Sequence, residues 1–130
     1  MIDYLSDEWL EAASVMITAL VLDPPLEGSL TIEQAVTGAP SGAVRYRITI
    51  EGPSLALRRT EPSGESDPDI RFTQDYATAA AVAQGQQSAQ WAFMHGKLQV
   101  GGDITRMISC SAALDALGDA FATLRARTSF

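Results

Sequence analysis

The chain holds one imidazole, His95, and one thiol, Cys110. These residue types carry much of nucleophilic and proton-transfer chemistry, so their settings decide whether turnover is expected. His95 stands beside Gly96 at the end of a short helical pattern. A protonated imidazole interacts well with the helix dipole there. No Gly-x-Ser-x-Gly elbow supplies it with a nucleophile. Cys110 follows Met107 by three residues with no basic motif beside it. That is the setting of a small buried apolar residue rather than of a thiolate. One Cys and one His cannot build a zinc site, and one Cys excludes an internal disulfide. Gly101-Gly102-Asp103 has the outline of a phosphate cradle, but no Gly-Lys-Ser/Thr follows it. A kinked strand end with an Asp N-cap accounts for the same residues. The carboxylates show no pairing for acid–base work. Asp67 and Asp69 fall in a loop, and Glu8 and Glu11 share a solvated helix face. No catalytic residue, metal or cofactor is expected.

Arg47 and Arg58 pose a different question. A two-residue turn at Gly52-Pro53 pairs Thr49 with Ala56 and sets Arg47 opposite Arg58 on one strand face. Like charges directly opposite are unfavourable. Either a carboxylate such as Glu33 relieves them, or an anion or partner does. The whole chain carries nine basic and sixteen acidic residues, a formal charge of −7. That balance argues against nucleic acid as a partner and against stable docking on anionic lipid. No apolar run approaches the roughly 18 residues of a membrane-spanning helix, so no stable membrane insertion is expected. No basic region precedes an apolar segment at the start, which predicts a cytoplasmic protein.

The elements that must position these residues follow from period. With 130 residues, 46% hydrophobic and 19% charged, one domain over 1–130 is expected. Ser6 reads as an N-cap with Asp7 and Glu8 in the first turn, opening an amphipathic helix over about 7–21 before Pro24-Pro25. Leu30, Ile32 and Val36 read as one face of a half-buried strand. Val44, Tyr46, Ile48 and Ile50 alternate with Arg45, Arg47, Thr49 and Glu51, which predicts a strand with the arginines exposed. Leu55 and Leu57 resume the apolar face, completing an antiparallel meander. Residues 60–69 form an acidic loop, expected to be the mobile segment. Ile70 and Phe72 then point inward on a short strand, and Thr73 caps a helix stopping near Gly85. Ser88 caps a second short helix ended by Gly96, and Lys97–Val100 is the last strand. Asp103 caps a terminal helix weakened at Gly118. Helices are the only cover for the apolar sheet face, so the fold class is α+β with two layers.

Residues 70–108 resemble the sterol carrier protein family, type two. The likeness is carried by Phe72-Thr73-Gln74-Asp75-Tyr76 at a strand-to-helix junction. It continues in Ala92-Phe93-Met94-His95-Gly96-Lys97-Leu98-Gln99-Val100-Gly101-Gly102-Asp103. The family pattern is Ala-Phe-hydrophobic-x-Gly-Lys-Leu, a short strand, then Gly-Asp opening a helix. The resemblance is to a stand-alone bacterial member and implies a five-stranded, mainly antiparallel sheet covered on one face by helices. Between the layers it implies an apolar cavity holding a lipid such as a fatty acid, fatty acyl-CoA or sterol. The end, Thr128-Ser129-Phe130, is not the peroxisomal tripeptide of some members.

The expected ligand wall is Phe72 and Tyr76 from the strand-to-helix junction, with Trp91, Phe93 and Met94 from the second short helix. Leu98 adds the last strand, and Ile104, Met107 and Ile108 the terminal helix. Alanines at 77, 79–81, 83, 112, 113 and 116 leave space between layers, unless the layers simply approach closely. Flexible Met94 and Met107 suit varied ligand shapes. Three readings stand: non-enzymatic binding of an apolar small molecule, a protein-interaction subunit with a filled core, or an enzyme-accessory domain. A homodimer or an enzyme partner is compatible with any of them. The loop at 60–69 or the helix beyond Gly118 is the expected lid.

Overall fold

Alternation in the strands and capping in the helices set the architecture. The computed structural model describes residues 1–40, 42–60 and 66–130. In chain order the elements are β1 (Ile2–Asp3), α1 (Asp7–Thr18), β2 (Ser29–Ala39), β3 (Gly42–Glu51), β4 (Ser54–Arg59) and β5 (Ile70–Asp75). They continue with α2 (Tyr76–Ala83), α3 (Ala89–Met94), β6 (Leu98–Gly102), α4 (Ile104–Ser109), α5 (Ser111–Arg125) and β7 (Thr128–Ser129).

A five-stranded sheet runs in the order β4-β3-β2-β5-β6. The β2–β3–β4 meander is antiparallel, with Arg47 opposite Arg58 across the Gly52-Pro53 turn. β5 lies parallel to β2, which makes the sheet mixed, and β6 pairs antiparallel with β5. β1 and β7 form a separate two-stranded parallel pair that joins the start of the chain to its end. The architecture is α+β: helices cover the sheet face that carries Leu30, Ile32, Val44, Ile48, Ile50 and Leu57, all buried.

Local chemistry places the helices. Ser6 accepts the Trp9 N–H at 3.1 Å, satisfying one orphan donor at the start of α1. The cap of α2 is Asp75, not Thr73, and it accepts the Thr78 N–H at 2.8 Å. β5 runs through Thr73 because residues 70–74 pair on both sides, with β2 and with β6. Ser88 and Asp103 cap α3 and α4. Gly102 has φ +96°, and a Cβ there would run into the carbonyl of Asp69. The strand end therefore needs glycine for backbone approach, without any phosphate.

The terminal helix breaks at Cys110 rather than at Gly118. Cys110 leaves helical geometry (φ −103°, ψ 19°), and the Ser109 hydroxyl donates to the Arg106 carbonyl at 2.9 Å. Gly118 lies inside an unbroken α5. α1 ends at Thr18, short of the expected 21. The part of the acidic loop at 61–65 lies outside the described residues, as does Ser41 in the Gly38–Gly42 turn.

The expected exposure of Arg45 and Arg47 is corrected. Arg47 is 4% exposed and Arg45 half-buried, although both remain on the sheet face away from the helices. Glu33, 1% exposed, stands opposite Arg47 in register. Arg47 Nη2 lies 3.3 Å from Glu33 Oε1 and donates to the Ser66 carbonyl at 2.7 Å. Arg71 Nε donates to Glu33 Oε2 at 2.6 Å, and Arg45 reaches the same carboxylate at 4.0 Å. Burial pushes the Glu33 carboxyl up. The Arg71 hydrogen bond and the fields of Arg71, Arg47 and Arg45 outweigh that and hold it below the usual carboxylate range. Ser66 belongs to the described end of the 60–69 loop, and its carbonyl meets Arg47 on the outer sheet face. Burial of Arg47 is tolerable because it is paired and hydrogen-bonded.

Candidate functional site

Between the sheet and the helices lies a cavity of about 740 Å³. The covered face of β2 and β3 contributes Ile32, Val36, Tyr46 and Ile48 to its floor. β5 and β6 extend the floor with Phe72, Leu98 and Val100. α5 forms much of the roof through Leu114, Leu117 and Phe121, and it packs on α1 and α2. Small side chains at Ala79, Ala83 and Ala122 border the open volume. At the rim, Phe93 and Ile104 line the cavity while being 53% and 41% exposed, which marks an opening between α3 and α4.

An aromatic cluster borders the other side. Trp9 stacks on Phe121 with centroids 6.0 Å apart, and Tyr4 meets Trp9 edge-on at 5.1 Å. Phe130 joins Tyr4 at 5.0 Å. Trp9 Nε1 donates to Thr128 Oγ1 at 3.1 Å, so both ends of the chain fix this wall. Burial pushes the Tyr46 phenol far above its ordinary range, and the Tyr4 phenol likewise, helped there by Tyr46 and Tyr76. Both stay neutral at every physiological pH.

Polar groups in the lining are few. Gln34 and Gln74 sit on the floor, with Gln74 Nε2 donating to Gln34 Oε1 at 3.0 Å. Arg125 is the one charged side chain among the described lining residues. Its Nε donates to the Ala83 carbonyl at 2.6 Å, and its guanidinium lies over Gly85. No carboxylate among the described residues pairs with it.

Residues 30–115, more than half of the chain, match the model of the SCP-2 sterol transfer family. The chain belongs to that family. Its fold is similar to the solution structure of a conserved hypothetical protein from Thermus thermophilus, with a TM-score of 0.71 and 18% identity. That likeness covers 95% of this chain and 91% of the other. A crystal structure of sterol carrier protein 2 gives the same TM-score and identity over 92% of this chain and 98% of that one. A palmitated sterol carrier protein 2 like 2 from Aedes aegypti gives 0.60 at 16% identity, covering 84% and 93%. At these identities the likeness establishes the fold. A sec-alkylsulfatase from Pseudomonas sp. contains a similar fold in 16% of its length, matched to 95% of this chain (TM-score 0.53, 17% identity). Among curated proteins, none matches. Family and fold together support lipid or sterol binding or transfer.

Of the residues expected in a ligand wall of this SCP-2 chain, Phe72, Phe93, Leu98, Ile104 and Met107 lie in the cavity lining. Tyr76, Trp91, Met94 and Ile108 lie outside it. Tyr76 packs against the Tyr4 ring instead, with centroids 5.8 Å apart. α3 turns Ala92 into the core and Phe93 to the cavity, which leaves Trp91 and Met94 facing outward. Trp91 stacks on His95 at 4.0 Å and takes the Lys97 ammonium over its ring. Ile108 sits one step past Met107 on α4 and is exposed. His95 caps α3, its Nδ1 lying 2.9 Å from the Trp91 carbonyl, and Cys110 is buried. Neither lines the cavity. Among the described residues no cluster of His, Cys, Asp or Glu has the arrangement of a metal site. No helix among them is long and apolar enough to cross a membrane.

Proposed function

We propose that this protein is a carrier that binds one lipid in the cavity between sheet and helices and has no turnover of its own. The observation that carries the reading is the cavity. About 740 Å³ with a mainly apolar lining falls within the range of ligand pockets. It also favours binding over an interaction subunit with a filled core, because close-packed interiors leave few voids larger than a water molecule. Arg125, the lone cation among the described lining residues, supports a ligand with one anionic end, as a long-chain carboxylic acid has. The palmitated relative with the same fold supports the same class. Carrying needs apolar area and an opening, and the separated positions of His95 and Cys110 add no catalytic constellation to it.

A second reading has one observation in its favour. The Pseudomonas sulfatase includes this fold as a small part of an enzyme, so an accessory role shielding an apolar substrate fits the same cavity. Either role requires binding. Native mass spectrometry of protein purified without detergent tests it, together with displacement of a fluorescent fatty acyl probe. The expected result is one lipid per chain and displacement by fatty acid. A chain that emerges empty and takes up no fatty acid, acyl-CoA or sterol probe overturns the carrier.

A further inference from the structure

The floor of the cavity carries a polar pair whose hydrogen bonding is incomplete. Gln34 and Gln74 face the cavity from neighbouring strands, diagonal in register, since Gln34 opposes Phe72 and Gln74 opposes Val36. One bond joins them, from Gln74 Nε2 to Gln34 Oε1. Gln74 Oε1 is buried and has no hydrogen-bond partner. In register the pair's cross-strand neighbours are Phe72, Val36 and Leu98, with Tyr46 opposite Gln34 on the far side, and none of them hydrogen-bonds Gln74 Oε1. A buried amide oxygen left unpaired bears its full desolvation cost, and an apolar residue at that register position would avoid it.

We propose that Gln34 and Gln74 form a recognition point for a hydroxyl group part-way along the ligand. The inference rests on the carrier reading and narrows its ligand to a hydroxylated chain lipid. A hydroxyl is the fitting partner because it both donates and accepts. It satisfies Gln74 Oε1 in the observed orientation, and it satisfies the freed amide N–H if both amides are turned over. A keto or ester oxygen only accepts and serves one arrangement alone. With a carboxylate held at Arg125, the chain position that reaches the pair is fixed, so the preference is positional.

The test is displacement of a fluorescent fatty acyl probe from the full chain by stearic acid and by a positional series of monohydroxystearic acids. A site built to bond a hydroxyl discriminates against the analogue lacking it. One position, or two adjacent ones, is expected to bind about tenfold more tightly than stearic acid. Gln74→Leu is expected to bring that isomer within about twofold of stearic acid, with stearic acid held at least as well as before. Gln34→Leu, checked for folding by thermal unfolding, is the parallel variant and removes the same preference. A flat positional series in a protein that binds stearic acid overturns the hydroxyl site and leaves the carrier standing, with water as the partner of Gln74. A preference that survives both substitutions also overturns it. Failure to bind stearic acid and every isomer overturns the carrier reading for chain lipids, and this inference with it.

Discussion

Glu33→Gln keeps the shape of a side chain that three arginines surround and removes only its charge. At an effective dielectric of about 20, unit charges 3.3 Å apart, the separation of Arg47 and Glu33, attract by about 5 kcal/mol. Desolvation of both groups consumes most of that gain, so the intact pair contributes little net stability. Removing one partner is different, because the remaining charge stays buried, at about 3–5 kcal/mol. Arg47 keeps the Ser66 carbonyl, and Arg71 is 39% exposed and can rehydrate. The expected loss is therefore about 3 kcal/mol, the low end. With a urea slope of roughly 1.5 kcal/mol/M, the unfolding midpoint falls by about 2 M. Fluorescence of the buried Trp9 and far-ultraviolet circular dichroism both follow the transition. The folded carboxyl titrates below its unfolded value, so its contribution is complete above the ordinary glutamate range and disappears as pH falls through the folded value. The gap between wild type and Glu33→Gln is expected to narrow on acidification. Glu33→Leu combined with Arg47→Met recovers most of the loss, since a buried pair replaced by apolar groups is near neutral. A loss below about 1 kcal/mol, or a gap unchanged at low pH, refutes the account.

Two further outcomes test the cavity itself. Phe93→Ala and Met107→Ala each strip apolar wall and are expected to weaken fatty acyl binding about 3- to 30-fold, while Met94→Ala and Ile108→Ala, off the lining, change it less than about twofold, as probe titrations will show. Arg125→Gln is expected to weaken an anionic probe by about three- to tenfold, leave a neutral long-chain alcohol nearly unaffected, and flatten the salt dependence of the anionic probe.

The meander was legible because period 2 has one interpretation when apolar and charged residues alternate cleanly. Val44 to Glu51 is such a run, and Gly52-Pro53 set its register with β4. The parallel neighbour, β5, was legible as a strand but not as a partner of β2, since pairing across the chain leaves no local period. β1 and β7 escaped for the same reason: two residues carry no alternation, and they pair through the closeness of the chain's two ends. Propensity places the helix break at Gly118. That glycine borders the cavity, where no neighbouring core asks for a side chain. Cys110 broke the helix instead, and nothing in its residue type announces it.

The site was harder to read because a wall residue and a core residue are chemically alike. Ile32, Tyr46 and Ile48 show the same alternation as Leu30 and Ile50, and only the space beyond them differs. α3 shows why: residue type groups Trp91, Phe93 and Met94 together, but a six-residue helix sends one of the three into the cavity. The informative signals lay in the exceptions. On β2 the inward row is Leu30, Ile32, Gln34, Val36, and the outward row holds Glu33. Each polar exception sits where a strand should bury an apolar group or expose a charge, and each proves to be bound into structure. Glu33 gathers arginines beneath the sheet, while Gln34 meets Gln74 above it. Because the two are adjacent on one backbone, the ion-paired layer holds the strand that presents the amide. An ion-paired outer face thus backs the glutamine pair in a mainly apolar floor, where small displacements would separate it from any ligand group it is to bind.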